Sequence, residues 1–163
     1  MSAQPAIVLG MHQLLRRLVT GDDAAITAIE PGSLPAALGA AVDTARRTGL
    51  TVEAEIDEAV RTIDAVRGLA VLRLTQEALT NVAKHAGPAA RARLRVAVDD
   101  EAVSWEVIDD GGSENGGSKA GGSRVLGGGH GLIGMRERVE VLGGRLTAGP
   151  EGGGWRVGTV LPR

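Results

Sequence analysis

The segment "ARARLRVAVDDEAVSWEVIDD", residues 90–110, constrains the fold of this chain more than any other stretch. Apolar and polar residues alternate on both sides of "DDE", the pattern of two half-buried strands joined by a short turn. A strand pair with one apolar face needs a second layer to cover that face. The material for that layer is unusual. Trp105 and Trp155 are the only aromatics, with no Phe or Tyr, so a core drawn from 43% hydrophobic residues must be built from Leu, Val, Ile and Ala.

The other elements follow from periodicity. "MHQLLRRLV" puts Met11, Leu14, Leu15 and Leu18 on one stripe of a short amphipathic helix ended by "TGDD". "SLPAALGAAVDTARRTG" predicts a second helix, with Ser33 as N-cap, Leu34, Leu38, Ala41, Val42 and Ala45 as its stripe and Gly49 as its stop. "LTVEAEI" alternates Val52, Ala54 and Ile56 against Thr51, Glu53 and Glu55, as a strand does. A long helix runs from about Thr62 to Ala86, ended by Gly87-Pro88. After the hairpin, "DDGGSENGGSKAGGSRVLGGGHG" has no apolar period and too little apolar surface to fix its backbone. "GLIGMRERVEVLGG" is a helix bracketed by glycines, and "GRLTAG" and "WRVGTVLP" form a second hairpin around "PEGGG". The order αα-β-α-ββ-loop-α-ββ predicts an α+β fold: a mostly antiparallel sheet with helices on one face, a two-layer α/β sandwich.

Several function classes are disfavoured at once. Net charge is −2 and the isoelectric point about 5.9, so no basic surface argues for nucleic acid. With no Cys there are no disulfides, thiolate metal sites or Cys nucleophiles. No apolar run is long enough to span a bilayer.

Three stretches carry candidate chemistry. In "QEALTNVAKHA", residues 76–86, a turn of 100° per residue gathers Glu77, Asn81, Lys84 and His85 into one column. Leu72, Leu79, Val82, Ala83 and Ala86 lie opposite. A carboxylate and an amide oxygen one turn apart suit Mg²⁺, which keeps several waters and completes its shell with phosphate oxygens. Taken alone, the column fits a solvated charged face better than a site. In "VIDDGG", Asp109 ends a strand where a carboxylate can accept from an exocyclic amine, and Gly111 permits close approach, although Asp-Gly is also the commonest turn pair. In "GGGHGLIG", Gly129, Gly131 and Gly134 stand at the mouth of a helix, where free N–H groups attract phosphate. The G-x-G-x-x-G match is not a dinucleotide fingerprint, because a Gly/Ser loop precedes it where a strand is required.

In order and spacing these stretches resemble the ATP-binding catalytic domain of two-component sensor histidine kinases, in the wider family of gyrase, chaperone and mismatch-repair ATPases. "QEALTNVAKHA" looks like the N box, "DDGG" like the first glycine box, the Gly/Ser segment like the ATP lid, and "GGGHGLIGMRERVEVLGG" like the second glycine box, closest to the nitrate-sensor group. The resemblance covers about Val52 to Pro162 and implies a Bergerat-type fold. It implies that residues 23–163 form the catalytic domain and that residues 1–22 are a linker or the remnant of a dimerisation helix.

It further implies ATP as substrate and Mg²⁺ as cofactor. Asn81 would ligate Mg²⁺, and Glu77 would act in catalysis, holding a metal-bound water or positioning the attacking group. Lys84, His85 and His130 would line the phosphates. Asp109 would accept from the adenine amine, with Gly111 beside it. Gly129 and Gly131 would present N–H groups to the phosphates, with Leu132 packed behind them. None of the three histidines has the setting of the family's phosphoacceptor, so the acceptor His would lie on a separate dimerisation domain, with a response regulator downstream and a cytoplasmic location. Two positions depart from the family pattern: Ser113 stands where a glycine is usual, and Trp155 where a Thr usually assists the adenine-binding Asp. Two other readings remain, an anti-sigma-type serine kinase, which shares the N box, and a non-catalytic interaction module of the same fold. Arg136 and Arg138 read as surface charge, with lid or phosphate contact as the second reading. Arg91, Arg93 and Arg95 read as a solvated strand face, with docking of the missing hairpin as the second.

Overall fold

A computed structural model describes residues 32–87, 89–112 and 129–163; the side chain of His130 falls outside that description. The amphipathic stretch at Met11–Leu18, the boundary near residue 22, Ser113 and nearly all of the Gly/Ser segment lie outside the described residues.

Helix α1, Leu34–Arg47, buries Leu34, Leu38, Val42 and Ala45. Ser33 holds the N-cap position but its side chain makes no capping bond, and Pro35 in the first turn presets the helical backbone instead. At the other end Gly49, at φ 99°, follows the last turn. Strand β1, Thr51–Ile56, buries Val52, half-buries Ile56 and leaves Ala54 exposed, because it is an edge strand.

The long helix starts later than its periodicity suggests. Residues 58–62 form a 3₁₀ turn, and α2 runs Ala65–His85. Two Asp caps explain the break. Asp57 accepts from the Ala59 N–H at 2.9 Å, and Asp64 accepts from the Val66 and Arg67 N–H groups at 3.2 and 3.0 Å. Partial burial pushes the Asp64 carboxyl up, but bonds from the Arg67 and Val66 N–H groups and the Arg67 guanidinium outweigh it and hold it below its ordinary 3.8. Asp64→Ala is expected to lower the free energy of unfolding by about 1 kcal/mol, as caps do. Because the folded value is depressed, this stabilisation is present above pH 3.8 and lost as pH falls further. Urea denaturation of both proteins at pH 7 and pH 3 checks both statements.

Strands β2, Arg91–Val98, and β3, Ala102–Asp109, form the expected hairpin. Helix α3, Gly129–Val141, precedes the second hairpin of β4, Arg145–Glu151, and β5, Gly154–Pro162. The sheet order is β1-β2-β3-β5-β4, with β1 parallel to β2 and every other pair antiparallel. A parallel pair needs a long crossover, and α2 is that crossover.

Ala92, Leu94 and Val96, then Val103, Trp105 and Val107, then Trp155, Val157 and Leu161 alternate onto the helix-covered face and are buried. Trp105 is 1% exposed. Its indole N–H donates to Thr75 Oγ1 at 3.0 Å, and Thr75 donates onward to the Val71 carbonyl at 2.8 Å, so both of these buried side chains are paired. On the open face Arg93 pairs with Glu53 and Arg95 with Glu55, at 3.5 and 3.8 Å, and Arg156 with Glu106 at 2.9 Å. The first two pairs are well exposed and contribute little.

Helix α2 has three environments where the wheel suggests two. Val71, Leu74, Ala78, Leu79 and Val82 are buried in the core, while Leu72 and Ala83, with an edge of Leu79, line a groove shared with α1. The third side faces the end of β3 and the start of α3.

Candidate nucleotide site

The site is where the C-terminal half of α2 meets the first turn of α3 and the tip of β3. Glu77 and Asn81, one turn apart, are both half-buried. Gly131 sits directly on them. A Cβ at this position would lie 2.8 Å from Glu77 Oε1 and 3.5 Å from Asn81 Nδ2, so the absence of a side chain lets α3 approach. The carboxylate, the amide and the helix mouth, whose first N–H groups have no intrahelical acceptor, therefore converge. A carboxylate and an amide oxygen are donors of the kind that fit Mg²⁺, which completes its shell with water and phosphate oxygens. Among the described residues no cluster of three His, Cys, Asp or Glu forms an all-protein metal site.

The floor is made by the turn after β3. Asp109 is 4% exposed and its Oδ1 accepts from the Gly111 N–H at 2.8 Å. Asp110 accepts from the Arg91 and Gly112 N–H groups, both at 3.0 Å, bracing the turn against β2. Gly111 and Gly112 have φ of 81° and 84°. A Cβ on Gly112 would overlap the Ala86 carbonyl at the end of α2, and one on Gly111 the Gly153 carbonyl. This turn is therefore both an Asp-Gly turn and a piece of the site wall.

Asn81, His85, Asp109, Leu132, Trp155 and Val157 line one cleft. The structure thus brings together residues from all three candidate stretches: Asn81 and His85, Asp109, and Leu132, with Glu77, Gly111 and Gly131 adjoining. Gly129 begins α3. Lys84 is not in the cleft. It is exposed and lines the groove between α1 and α2, because its Cα lies on the α1 side of Asn81. Asp110 acquires structural weight that the motifs do not give it, and Trp155, read from the sequence as a departure from the family pattern, becomes part of the cleft wall. Trp155 pairs with Asp109 across β5 and β3, and counting the alternation back from Leu161 along β5 does place it inward.

Comparison with known proteins agrees with this assembly. Residues 67–163, more than half of the chain, match the family described as histidine kinase-, DNA gyrase B-, and HSP90-like ATPase. The chain is 38% identical over 115 residues to the sensor histidine kinase NarS of Mycobacterium tuberculosis, a match taking in 69% of this chain. It spans only 25% of the length of NarS. Among solved structures, the mycobacterial sensor histidine kinase MprB superposes with TM-score 0.55 at 18% identity, covering 79% of this chain and 95% of that one. The histidine kinase domain of the Erythrobacter litoralis blue-light activated kinase gives 0.54 at 23%, covering 85% and 65%. These two share the fold. With the sequence match running through all the elements that meet at the cleft, the chain is a histidine-kinase-type ATP-binding domain and belongs to the histidine kinase-, DNA gyrase B-, and HSP90-like ATPase family.

Proposed function

We propose that this chain binds ATP with Mg²⁺ and passes the γ-phosphoryl group to a histidine on a dimerisation and phosphoacceptor domain of its parent kinase, in two-component signalling toward a response regulator. The observation that supports this most is the convergence of Glu77, Asn81 and Gly131 beside Asp109. In this reading residues 23–163 are the catalytic domain, residues 1–22 are a linker or the remnant of a dimerisation helix, and the domain works in the cytoplasm. Among the described residues no helix is long and apolar enough to cross a membrane.

Asn81 offers its side-chain oxygen to the metal. Mg²⁺, when bound, neutralises charge on the phosphates. Glu77 holds a water of the metal shell or orients the attacking imidazole. Asp109, whose Oδ1 accepts from the Gly111 N–H, is the acceptor for the exocyclic amine of the base. Gly129 and Gly131 give their N–H groups to phosphate oxygens, with His85 and His130 nearby and Leu132 packed behind. Lys84, exposed and on the α1 side of the helix, is the more distant phosphate contact of this reading. The rate gain comes from alignment and charge neutralisation, since phosphoryl transfer asks little covalent chemistry of the protein.

Titration calorimetry tests the binding step. ATP is expected to bind more tightly with Mg²⁺ than with EDTA. Asn81→Ala is expected to remove most of that metal-dependent gain, and Asp109→Ala to weaken binding about tenfold, or 1.4 kcal/mol. Unchanged affinity in both variants would remove the assignment.

A further inference from the structure

The cleft beneath Asn81 and Asp109 has a volume of about 20 Å³. That is room for roughly one water, which needs about 10–15 Å³. Small-molecule pockets run to about 300–1,000 Å³. A purine does not enter without displacing a wall.

Most of the walls are fixed. Ala78 and Val82 belong to the buried side of α2, and Val107 and Val157 are sheet core. Asp109 is held by its bond to Gly111. The largest side chain on the cleft is the indole of Trp155, 5% exposed and directly across the β3–β5 pair from Asp109. Its backbone has no freedom to retreat, because Gly154 lies so close to Asp109 that a Cβ there would overlap the Asp109 carbonyl. The rim of the cleft beside it is open. The neighbouring turn is Gly152-Gly153, and neither glycine has an atom within 4 Å of where a Cβ would stand.

We propose that Trp155 is the specificity-determining wall of the base subsite: its indole occupies the space an adenine needs, and nucleotide binds only as that ring swings out of the cleft toward the Gly152-Gly153 turn. This rests on the nucleotide-binding reading above and adds a residue whose displacement opposes binding. The energy gained by the base is reduced by whatever it costs to expose the indole, so the chain binds nucleotide more weakly than its polar residues alone would allow. Removing the ring removes that cost.

The two tryptophans make the test direct. A chain labelled with 5-fluorotryptophan gives two fluorine NMR signals, assigned by which one disappears in Trp155→Val. ADP with Mg²⁺ is expected to shift the Trp155 signal and leave the Trp105 signal, deep in the core, in place. Titration calorimetry with ADP is expected to show about tenfold tighter binding, or more, for Trp155→Thr and Trp155→Val, with circular dichroism confirming that both are folded. ADP binding to the unmutated chain without movement of the Trp155 signal overturns this proposal and leaves nucleotide binding intact, whatever the variants do. Folded variants that bind no tighter than the parent overturn it equally. If neither parent nor variants bind ADP at millimolar concentration, both this proposal and the nucleotide reading fail.

Discussion

Trp105→Ala is expected to lower the free energy of unfolding by about 3–5 kcal/mol, the range for deleting a large buried aromatic. No other aromatic is available to close the gap, since Trp155 is the only other one in the chain. Trp105 also links the layers. It stands on β3 opposite Val96 on β2 and Thr159 on β5, and its N–H reaches Thr75 on α2. Companion variants separate volume from hydrogen bonding. Trp105→Phe keeps most of the volume, and Thr75 keeps its own bond to the Val71 carbonyl, so about 1 kcal/mol should be lost beyond the packing change. Thr75→Ala strands the buried indole N–H without its acceptor and should cost about 1–3 kcal/mol, while Thr75→Ser should be the milder change. Chemical denaturation of the four variants tests the order. A Trp105→Ala variant within 1 kcal/mol of the parent, by the same scale, would show that the interior relaxes freely around that position.

Incubated alone with radiolabelled ATP, the chain is expected to incorporate no phosphate. Supplied with a separate dimerisation hairpin from its parent kinase, it is expected to label that hairpin with the acid-labile, alkali-stable linkage of phosphohistidine. The reaction should be slow, because tethering ordinarily holds the partners at about millimolar effective concentration and separation forfeits it. Glu77→Gln should reduce the labelling by about 10²–10⁴-fold if the carboxylate acts on the attacking group, the range for a positioned acid or base. A loss confined to ATP affinity would place Glu77 in binding alone. Acid-stable label on a serine-containing antagonist would favour the anti-sigma type of kinase.

Local rules made most of this architecture readable. The two hairpins follow from period-two alternation, and α1 and α3 from stripes bracketed by glycine. The start of α2 was legible too, in Asp57 and Asp64, but a hydrophobic period alone runs through both caps. The site was legible as chemistry more than as geometry. Asn81, Asp109 and Gly131 lie far apart in the chain, and only packing shows that Gly131 rests on Glu77. A helical wheel groups Lys84 with Asn81 and has no knowledge of neighbours, so it does not show that Lys84 also borders the groove shared with α1. The inward turn of Trp155 follows from the alternation along β5, but its place directly beside Asp109 depends on the register of β5 against β3, which is a long-range fact.

The order of strands in the sheet has a consequence for how the cleft comes into being. β2 and β3 close over three residues and β4 and β5 over two, so each hairpin has a small loop entropy to overcome. The cleft lies where these two hairpins join, along the β3–β5 seam that carries Asp109, Val107, Trp155 and Val157. That seam pairs residues 46 to 60 positions apart, as between Asp109 and Trp155 or Ala102 and Pro162. Non-local pairings of this kind form slowly and late. Nucleotide affinity thereby depends on the closure of that seam: both hairpins can be in place and the cleft still lacks one of its two strands.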